Sequence, residues 1–389
     1  MNLCIDTETT ISNKGNPFDQ RNKLCLVGLK FPKESWLLDI EYSLSPHDTE
    51  LKFTQGVVDM SNLIIGFNLK FDLHWIRRYG IDISDKRVWD CQVVHFILTG
   101  QKESYPSLNS VAIHYGIETK IDEVYDLYWS QGIDTPEVPL ELLKDYLQKD
   151  LDITYQVYLK QVEELEARPE LKNLVSLHNQ DLTVLEEMEF NGITFDETEC
   201  TKLGEELNEK IKTLDVELNN YHGRDDLNLR SNDHLSAFLY GGTLNLQRRV
   251  SRGTFKTGSR KGEEKMGWES YEVTLPRMVK PIKGSQLKKE GFYSTDEGTL
   301  KSLKSSIIGT KIINLMLQKA TDEKRLGTYY VGLVKLNKEL GWKPNLIHGT
   351  LNQCVARTGR LSSSKPNLQN FDGNIKQLFY SRYTYAPTG

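Results

Sequence analysis

Three short apolar runs near the N-terminus constrain the fold of this chain more than any other feature. Residues 1–5, 23–31 and 35–40 are rich in β-prone side chains, and short links separate them, which predicts an antiparallel set of strands. A further apolar run at 63–67 and alternating helical patterns continue to about residue 165. Strands interleaved with helices in this way predict an α/β layer architecture containing a mixed sheet.

Helical spacing dominates the middle of the chain. Apolar residues recur at helical intervals over three stretches, 171–190, 198–220 and 299–340. Between the last two lies a segment, 245–292, that is rich in Arg, Lys, Gly and Ser but also carries aromatic and β-branched residues. That mixture predicts an extended basic loop or a hairpin insertion rather than low-complexity disorder.

Two interruptions of the helical pattern suggest domain boundaries. The segment ARPE breaks a helix near residue 168, and WKPN ends the helical region near residue 345. We therefore predict three domains, covering residues 1–168, 169–345 and 346–389.

The charge is distributed unevenly along the chain. Residues 1–160 carry 16 basic and 24 acidic side chains, and residues 161–247 carry 7 and 19. Residues 248–304 carry 14 and 7, and residues 305–389 carry 12 and 4, so the last 142 residues have a net charge of +15. This polarity is expected of a phosphate-binding surface joined to carboxylate-rich segments, although a solvated basic face fits equally well.

Several protein classes are excluded by what the sequence lacks. It contains no apolar stretch near the roughly 20 residues that span a bilayer, and its N-terminus has no secretory pattern, so we expect a cytoplasmic protein with no membrane partner. The five cysteines are scattered and form no CxxC or Cys/His spacing, which argues against disulfides and zinc.

Acidic residues occur at spacings that would bring them together. Asp6 and Glu8 lie two apart on the first predicted strand and therefore project from the same face. Tyr146 and Asp150 lie four apart on a predicted helix, and Asp72 lies on another helix. Four carboxylates so close would repel one another unless hard cations such as Mg²⁺ or Mn²⁺ neutralised them. The pattern predicts a two-metal phosphoryl hydrolase.

The order of these residues also resembles a known family. DTET (6–9), GFNLKFDLHW (66–75) and YLQKD (146–150) are similar to the three motifs of the DEDD exonuclease superfamily, with the tyrosine of one of its subgroups. The resemblance implies an RNase H-like α/β domain that removes nucleotides from a DNA 3′ end with two Mg²⁺ ions, or Mn²⁺ in their place. It assigns catalysis and metal binding to four carboxylates, Asp6, Glu8, Asp72 and Asp150.

The resemblance also implies roles for other residues. A metal held by three of the acids would lower the pKa of a bound water, and Tyr146 would orient that water. Asn68 and Thr9 would help to hold the terminal nucleotide. The aromatic side chains of the second motif favour a core role over base stacking, and the acids Asp90, Asp145 and Asp152 are interpreted as structural or solvated.

The C-terminal part carries a second resemblance. The stretch RTGRLSSSKPNLQN (357–370) is similar to the start of the palm domain in family A DNA polymerases, and four upstream stretches resemble thumb and pre-thumb segments. By this resemblance, side chains of the palm and the thumb contact a primer-template. They are Arg360, Gln369 and Asn370 in the minor groove, and Arg325, Asn228 and Ser231 on backbone phosphates.

The later polymerase motifs do not occur in the sequence. No DYS-like motif, fingers helix or HDE-like motif is present, so we expect that this chain alone does not polymerise. The favoured interpretation is that the chain is the proofreading and thumb portion of a split, bacteriophage-type polymerase, with a C-terminal polypeptide as its partner. The sequence fits a fragment of a longer polymerase as well. A free-standing exonuclease and a non-catalytic DNA-binding scaffold are the alternatives.

Overall fold

The computed structural model describes residues 1–43, 48–119 and 122–381. The chain divides into two compact units. The first combines residues 1–199 with residues 333–389, and the second consists of residues 200–332. The end of the last predicted domain, residues 382–389, lies outside the described residues.

A five-stranded sheet forms the centre of the first unit. Its order is β3-β2-β1-β4-β5, with β1 antiparallel to β2 and parallel to β4. The strands are β1 Asn2–Thr9, β2 Leu24–Phe31, β3 Glu34–Asp39, β4 Leu63–Gly66 and β5 Arg87–Asp90. The first three strands form the antiparallel set that the apolar runs predict.

Helices cover this sheet. They are α1 Asp48–Asp59, α2 Leu69–Arg78, α3 Cys91–Leu98, α4 Leu108–His114, α5 Glu123–Leu127, α6 Leu140–Ala167 and α7 Lys172–Asn191. Their apolar faces and the sheet bury large side chains completely, among them Trp75 and Phe96. Burial of this kind supplies most of the stability of such a layer.

The second unit is mostly helical and contains one long hairpin. After the short strand β6 Ile193–Phe195 of the first unit, the elements of the second unit are α8 Glu197–Asn220, α9 Asn232–Tyr240, β7 Gly242–Thr254, β8 Glu264–Leu275, α10 Glu297–Ser302 and α11 Ile307–Arg325. Helix α12 Val331–Glu339 begins at the end of this unit and lies mostly in the first. A π-helical turn, Leu326–Tyr330, joins α11 to α12. Strands β7 and β8 pair with each other, as the hairpin interpretation of the basic segment predicts.

The C-terminal stretch returns to the first unit. It forms β9 Leu346–Ile347, β10 Thr350–Asn352, β11 Ser362–Ser364, the short helix α13 Gly373–Lys376 and β12 Phe379–Tyr380. Strand β6 lies between β12 and β9 in a three-stranded sheet, and β10 pairs with β11.

The predicted helical stretch at 299–340 is divided among three helices. Leu303 is extended, and Ser306 begins a new helix by accepting a hydrogen bond from the Gly309 backbone N–H. Ser at an N-cap stabilises such a start. Among the described residues, no helix is long and apolar enough to cross a membrane.

Candidate active site

Three carboxylates meet at the end of strand β1. Oxygen atoms of Asp6, Glu8 and Asp150 all lie within 4.8 Å of one another. Asp6 and Glu8 share a face of β1, and Asp150 reaches them from helix α6, which packs on that strand. An oxygen-only set with three negative charges is the donor chemistry that Mg²⁺ and Mn²⁺ prefer.

A glycine in the neighbouring strand lets helix α6 approach the sheet. Gly28 pairs with Asp6 across β1 and β2. A Cβ atom at Gly28 would lie 2.7 Å from Leu151 Cδ1 and 3.0 Å from Leu147 Cγ, both on α6. Real Cβ contacts are longer than this, so only glycine permits the helix to sit here without rearrangement. The close approach carries Asp150 to the strand acids.

Tyr146 lies one helical turn before Asp150 and faces the same acids. Burial raises the pKa of the Tyr146 phenol well above its usual value, and the charges of Asp150, Glu8 and Asp122 raise it further. The phenol therefore keeps its proton and remains a hydrogen-bond donor.

Asp72 is close to the same strand but is arranged differently. Its carboxylate is 2% exposed and accepts a 2.6 Å hydrogen bond from Thr7 Oγ1. Burial raises the pKa of Asp72 to about 8, against the lowering effect of the Thr7 hydrogen bond. Asp72 is not part of the three-carboxylate group found among the described residues, so its assignment as a metal ligand stays a prediction.

Asn68 marks the start of the helix that carries Asp72. It is the N-cap of α2 with a left-handed backbone (φ 55°), and its N–H donates to Asp90 Oδ1 at 3.1 Å. Asp90 also accepts from the N–H of Leu69 and caps α3 through the N–H of Gln92. Asp90 is therefore structural, as interpreted from the sequence, and it fixes the backbone at Asn68.

A cavity of about 450 Å³ adjoins the acids. Asp6, Asn68, Tyr146 and Asp150 line one part of it, and residues 105–109 line another. Thr9 is absent from its lining; it is buried, and its hydroxyl donates to the Thr10 carbonyl at 3.2 Å. Asn68 therefore lines the cavity and Thr9 does not, and the predicted nucleotide contacts through both residues stay predictions.

A chain of hydrogen bonds that the sequence interpretation missed supports Tyr146. The fully buried Thr135 hydroxyl donates to the Thr9 carbonyl at 2.5 Å and accepts from Trp129 Nε1 at 3.1 Å. The Trp129 ring meets the Tyr146 ring edge-on at 5.5 Å. These residues link the end of β1 to α6 and fix the position of the phenol. No spacing rule connects them, because the contacts are formed only in the folded chain.

The aromatic residues of the second motif pack inside the protein. Trp75 is fully buried and donates from Nε1 to the Gly15 carbonyl at 3.0 Å. Phe67 and Phe71 pack against two core clusters. Trp75 therefore has the core role that the sequence favours. Phe67 and Phe71 are half-buried in the same layer.

The predicted DNA contacts of the second unit lie near the start of α9 and the end of α11. Asn228 is exposed, and its side chain accepts from the Arg230 N–H at 3.0 Å. Ser231 is the N-cap of α9, and Arg325 is the last residue of α11 and half-buried.

The predicted contacts of the C-terminal stretch lie on the surface beside β11. Arg360, Gln369 and Asn370 are exposed. The Gln369 amide donates to the Leu361 carbonyl at 3.0 Å, which ties the 3₁₀ turn at Leu368–Asn370 to the preceding segment. Whether these residues contact nucleic acid stays a prediction.

Comparison with known families separates the chain into two matched parts. The fold defines an exonuclease-type α/β domain joined to a helical, polymerase-like region. Residues 2–166 match the family described as 3′-5′ exonuclease, and residues 272–387 match DNA polymerase family A. These two matched ranges agree with the two resemblances that the sequence motifs predict.

Individual relatives extend this similarity over most of the chain. It is 29% identical to the DNA polymerase I of Synechocystis sp. over 319 residues, which cover 80% of this chain and 28% of the relative. It is 25% identical to the DNA polymerase of Bacillus phage SP01 over 366 residues, covering 86% and 38%. The chain thus spans about a third of the length of these relatives.

A solved structure shows the same fold. The POL domain of Pol1 from M. smegmatis, in complex with a DNA primer-template and dNTP, aligns with a TM-score of 0.64 at 17% identity. The alignment covers 99% of this chain and 55% of that chain.

Proposed function

We propose that this protein is a 3′-5′ DNA exonuclease that hydrolyses the terminal phosphodiester and releases nucleoside monophosphates. The observation that carries the proposal is the convergence of Asp6, Glu8 and Asp150 oxygens within 4.8 Å. The cavity of about 450 Å³ beside them has room for a nucleotide at a strand end.

The donor set fits divalent metal ions. Asp6, Glu8 and Asp150 would hold Mg²⁺ or Mn²⁺, because three carboxylates this close need cations to remain ionised together. When bound, two such ions lower the pKa of water and stabilise charge on the phosphate and the leaving oxygen. Asp72 would join the set only by exchanging its hydrogen bond with Thr7 for a metal.

The chain's own residues position the reacting groups. The Tyr146 phenol stays protonated because its pKa is raised, and it donates a hydrogen bond to the oxygen of the attacking water, which orients that water for attack. Asn68 lies at the cavity wall, where its amide holds the terminal nucleotide. Glu8 is buried and Asp6 and Asp150 are half-buried, a setting that excludes part of the solvent and strengthens these contacts.

Digestion of a labelled single strand with Mg²⁺ tests the proposal. Asp6→Ala combined with Glu8→Ala should abolish stepwise shortening. Asp152→Ala is the matched control, because Asp152 lies on the same helix as Asp150 but pairs with Lys30 at 2.9 Å and is partly exposed. Unchanged digestion by the double variant would refute the site.

Metal titration separates the role of Asp72 from that of Asp150. Asp150→Asn should weaken Mn²⁺ binding, measured by calorimetry, by at least tenfold. Asp72→Asn should weaken it less if Asp72 positions β1 through Thr7, and equally if Asp72 is a ligand.

We further propose that the exonuclease serves proofreading in a family A DNA polymerase. The family match of residues 272–387 supports this, and the basic balance of the last 142 residues suits a primer-template. Arg360, Gln369 and Asn370 would contact the minor groove, and Arg325, Asn228 and Ser231 the backbone. Arg360→Gln should weaken duplex binding and leave the digestion of short single strands unchanged.

We propose that nucleotide addition uses acids that these 389 residues do not contain and that a C-terminal polymerase polypeptide supplies them. As for a bacteriophage-encoded protein, the two would act in the cytoplasm of the host cell. A 3′-mismatched primer-template incubated with Mg²⁺ and dNTPs should be shortened and not extended. Extension without any added polypeptide would contradict this proposal, and absence of shortening would favour the DNA-binding scaffold.

A further inference from the structure

The β7–β8 hairpin carries features that the exonuclease proposal does not use. Its base is anchored, because Leu244, Leu246, Val273 and Leu275 are buried in the core of the second unit. Every residue from 247 to 272 is exposed or half-buried. At about 3.4 Å per residue, this outer part extends for roughly 25 Å.

The hairpin is strongly basic in its outer part. Residues 242–275 contain seven basic and four acidic side chains, a net charge of +3. Arg248 and Arg260 are neutralised by Glu269 and Glu263, each at 2.7 Å. The remaining basic side chains include Arg249 and the cations on either side of the hairpin turn. Together they give the outer part of the hairpin, this arm, a positive field.

One face of the hairpin also exposes apolar groups in a row. Residues paired across two antiparallel strands share a face, and the pairs Gln247 with Ser270, Arg249 with Trp268 and Ser251 with Met266 define this one. Trp268 is 60% exposed and Met266 is 41% exposed. Trp268 and Met266 therefore present neighbouring apolar surface on this face of the arm.

The basic and aromatic groups of this face are already arranged together. The Arg249 guanidinium lies 5.8 Å from the centre of the Trp268 ring. On the opposite face, Arg252 donates to the Trp268 carbonyl at 2.8 Å, and its side chain crosses Gly267, where a Cβ would lie 2.4 Å from Nε. Gly267 thus permits the packing that holds the strand segment carrying Trp268.

From this arrangement we propose that the Trp268 face of the hairpin binds single-stranded DNA. A base stacks on the Trp268 ring, and Arg249 and its neighbouring cations contact the phosphates on either side. Single-strand-binding surfaces combine these two elements, and stacking tolerates any base sequence. Charge complementarity selects nucleic acid over an apolar protein surface. This binding goes beyond the exonuclease activity, because its residues lie in 200–332 and take no part in hydrolysis.

Fluorescence anisotropy of the full chain with a labelled oligothymidylate in EDTA tests the inference, since EDTA prevents digestion. Trp268→Ala should raise the Kd roughly 5- to 150-fold. Arg249→Gln should lower the slope of log K against log salt by about 0.7. Tyr125→Ala and Lys160→Gln are matched controls, because both residues are exposed on the other unit.

A second variant guards against misfolding of the hairpin. Replacing residues 251–266 by Asn-Gly shortens the arm and keeps the buried base, and it should weaken single-strand binding at least as much as Trp268→Ala. Unchanged single-strand affinity in both variants would overturn the inference, as would a loss confined to duplex DNA. Metal-dependent digestion of a trinucleotide, measured in parallel, reports on the exonuclease site independently, so failure of one proposal leaves the other standing.

Discussion

Replacing Lys70 by methionine removes one half of a buried ion pair that joins helix α2 to helix α7, and both charged groups also bind the backbone of strand β10. Lys70 Nζ lies 2.6 Å from Glu189 Oε1, and the two side chains are 17% and 4% exposed. The Leu351 carbonyl accepts from Lys70 at 2.5 Å, and the Leu351 N–H donates to Glu189 at 2.5 Å. Four polar groups are thus satisfied by one another.

The magnitude follows from this geometry. Removing one partner of a buried pair costs about 3–5 kcal/mol, because the other charge is left without compensation. Lys70 retains some solvent contact, so we expect about 3 kcal/mol for Lys70→Met and a similar cost for Glu189→Gln. The double variant keeps an acceptor for Leu351 N–H and leaves no uncompensated charge. It should cost about 1 kcal/mol and be more stable than either single variant.

Amide hydrogen exchange, measured by mass spectrometry on peptides that cover residues 346–353, reports the loss of local stability in each variant. A loss of 3 kcal/mol lowers protection on the order of a hundredfold. Lys160→Met is the control, because its partner Glu163 is exposed and surface pairs contribute about 0–1 kcal/mol. Single-variant losses that simply add in the double variant would refute the coupling.

Three further outcomes are expected. Thr135→Val should lower the exonuclease kcat with little change in KM, measured by digestion kinetics, because the link that positions Tyr146 is lost. Gly28→Ala should destabilise the protein by about 1–3 kcal/mol in urea denaturation and slow digestion, because its Cβ would press on Leu151. Burial raises the pKa of Glu186 from 4.5 to about 7, so its ionisation penalises the folded state progressively from about pH 4.5 and fully above about pH 7. The stability of Glu186→Gln relative to the unmodified protein should therefore rise with pH across that window.

Matched substitutions separate these effects from general damage. Thr257→Val changes an exposed hydroxyl and should leave kcat unaltered. Gly56→Ala places its Cβ in open space on helix α1 and should stabilise by up to about 1 kcal/mol. A Gly28 variant as stable and active as the Gly56 variant would contradict the packing argument.

Much of the first unit could be predicted because its signals are local. Short β-prone runs predict β1 to β3. The strand and helix spacings predict that four acids, Asp6, Glu8, Asp72 and Asp150, share one site. In the structure the oxygens of Asp6, Glu8 and Asp150 lie together, and Asp72 is not in that group among the described residues. Such patterns work because side-chain direction follows from backbone period alone.

Other features depend on contacts between distant residues and were beyond such patterns. The hydrogen bond between Thr7 and Asp72 spans 65 positions, and the one between Thr135 and Thr9 spans 126. The division of the helical stretch 299–340 into separate helices depends on a competition between helix continuation and capping at Ser306, which propensity resolves poorly. The hairpin stayed one of two interpretations, because the register of a basic, polar strand is weakly specified.

The order in which the sheet around β6 is synthesised has a consequence for folding in the cell. Strand β6 is synthesised before both of its neighbours, β9 and β12. These come from the C-terminal stretch, which begins about 150 residues later. At about 5–20 residues per second, the ribosome needs roughly 8–30 s to supply the first of them. During that interval the edges of β6 are exposed to other chains, so a holding chaperone or a slow codon pattern there would influence the yield of native protein.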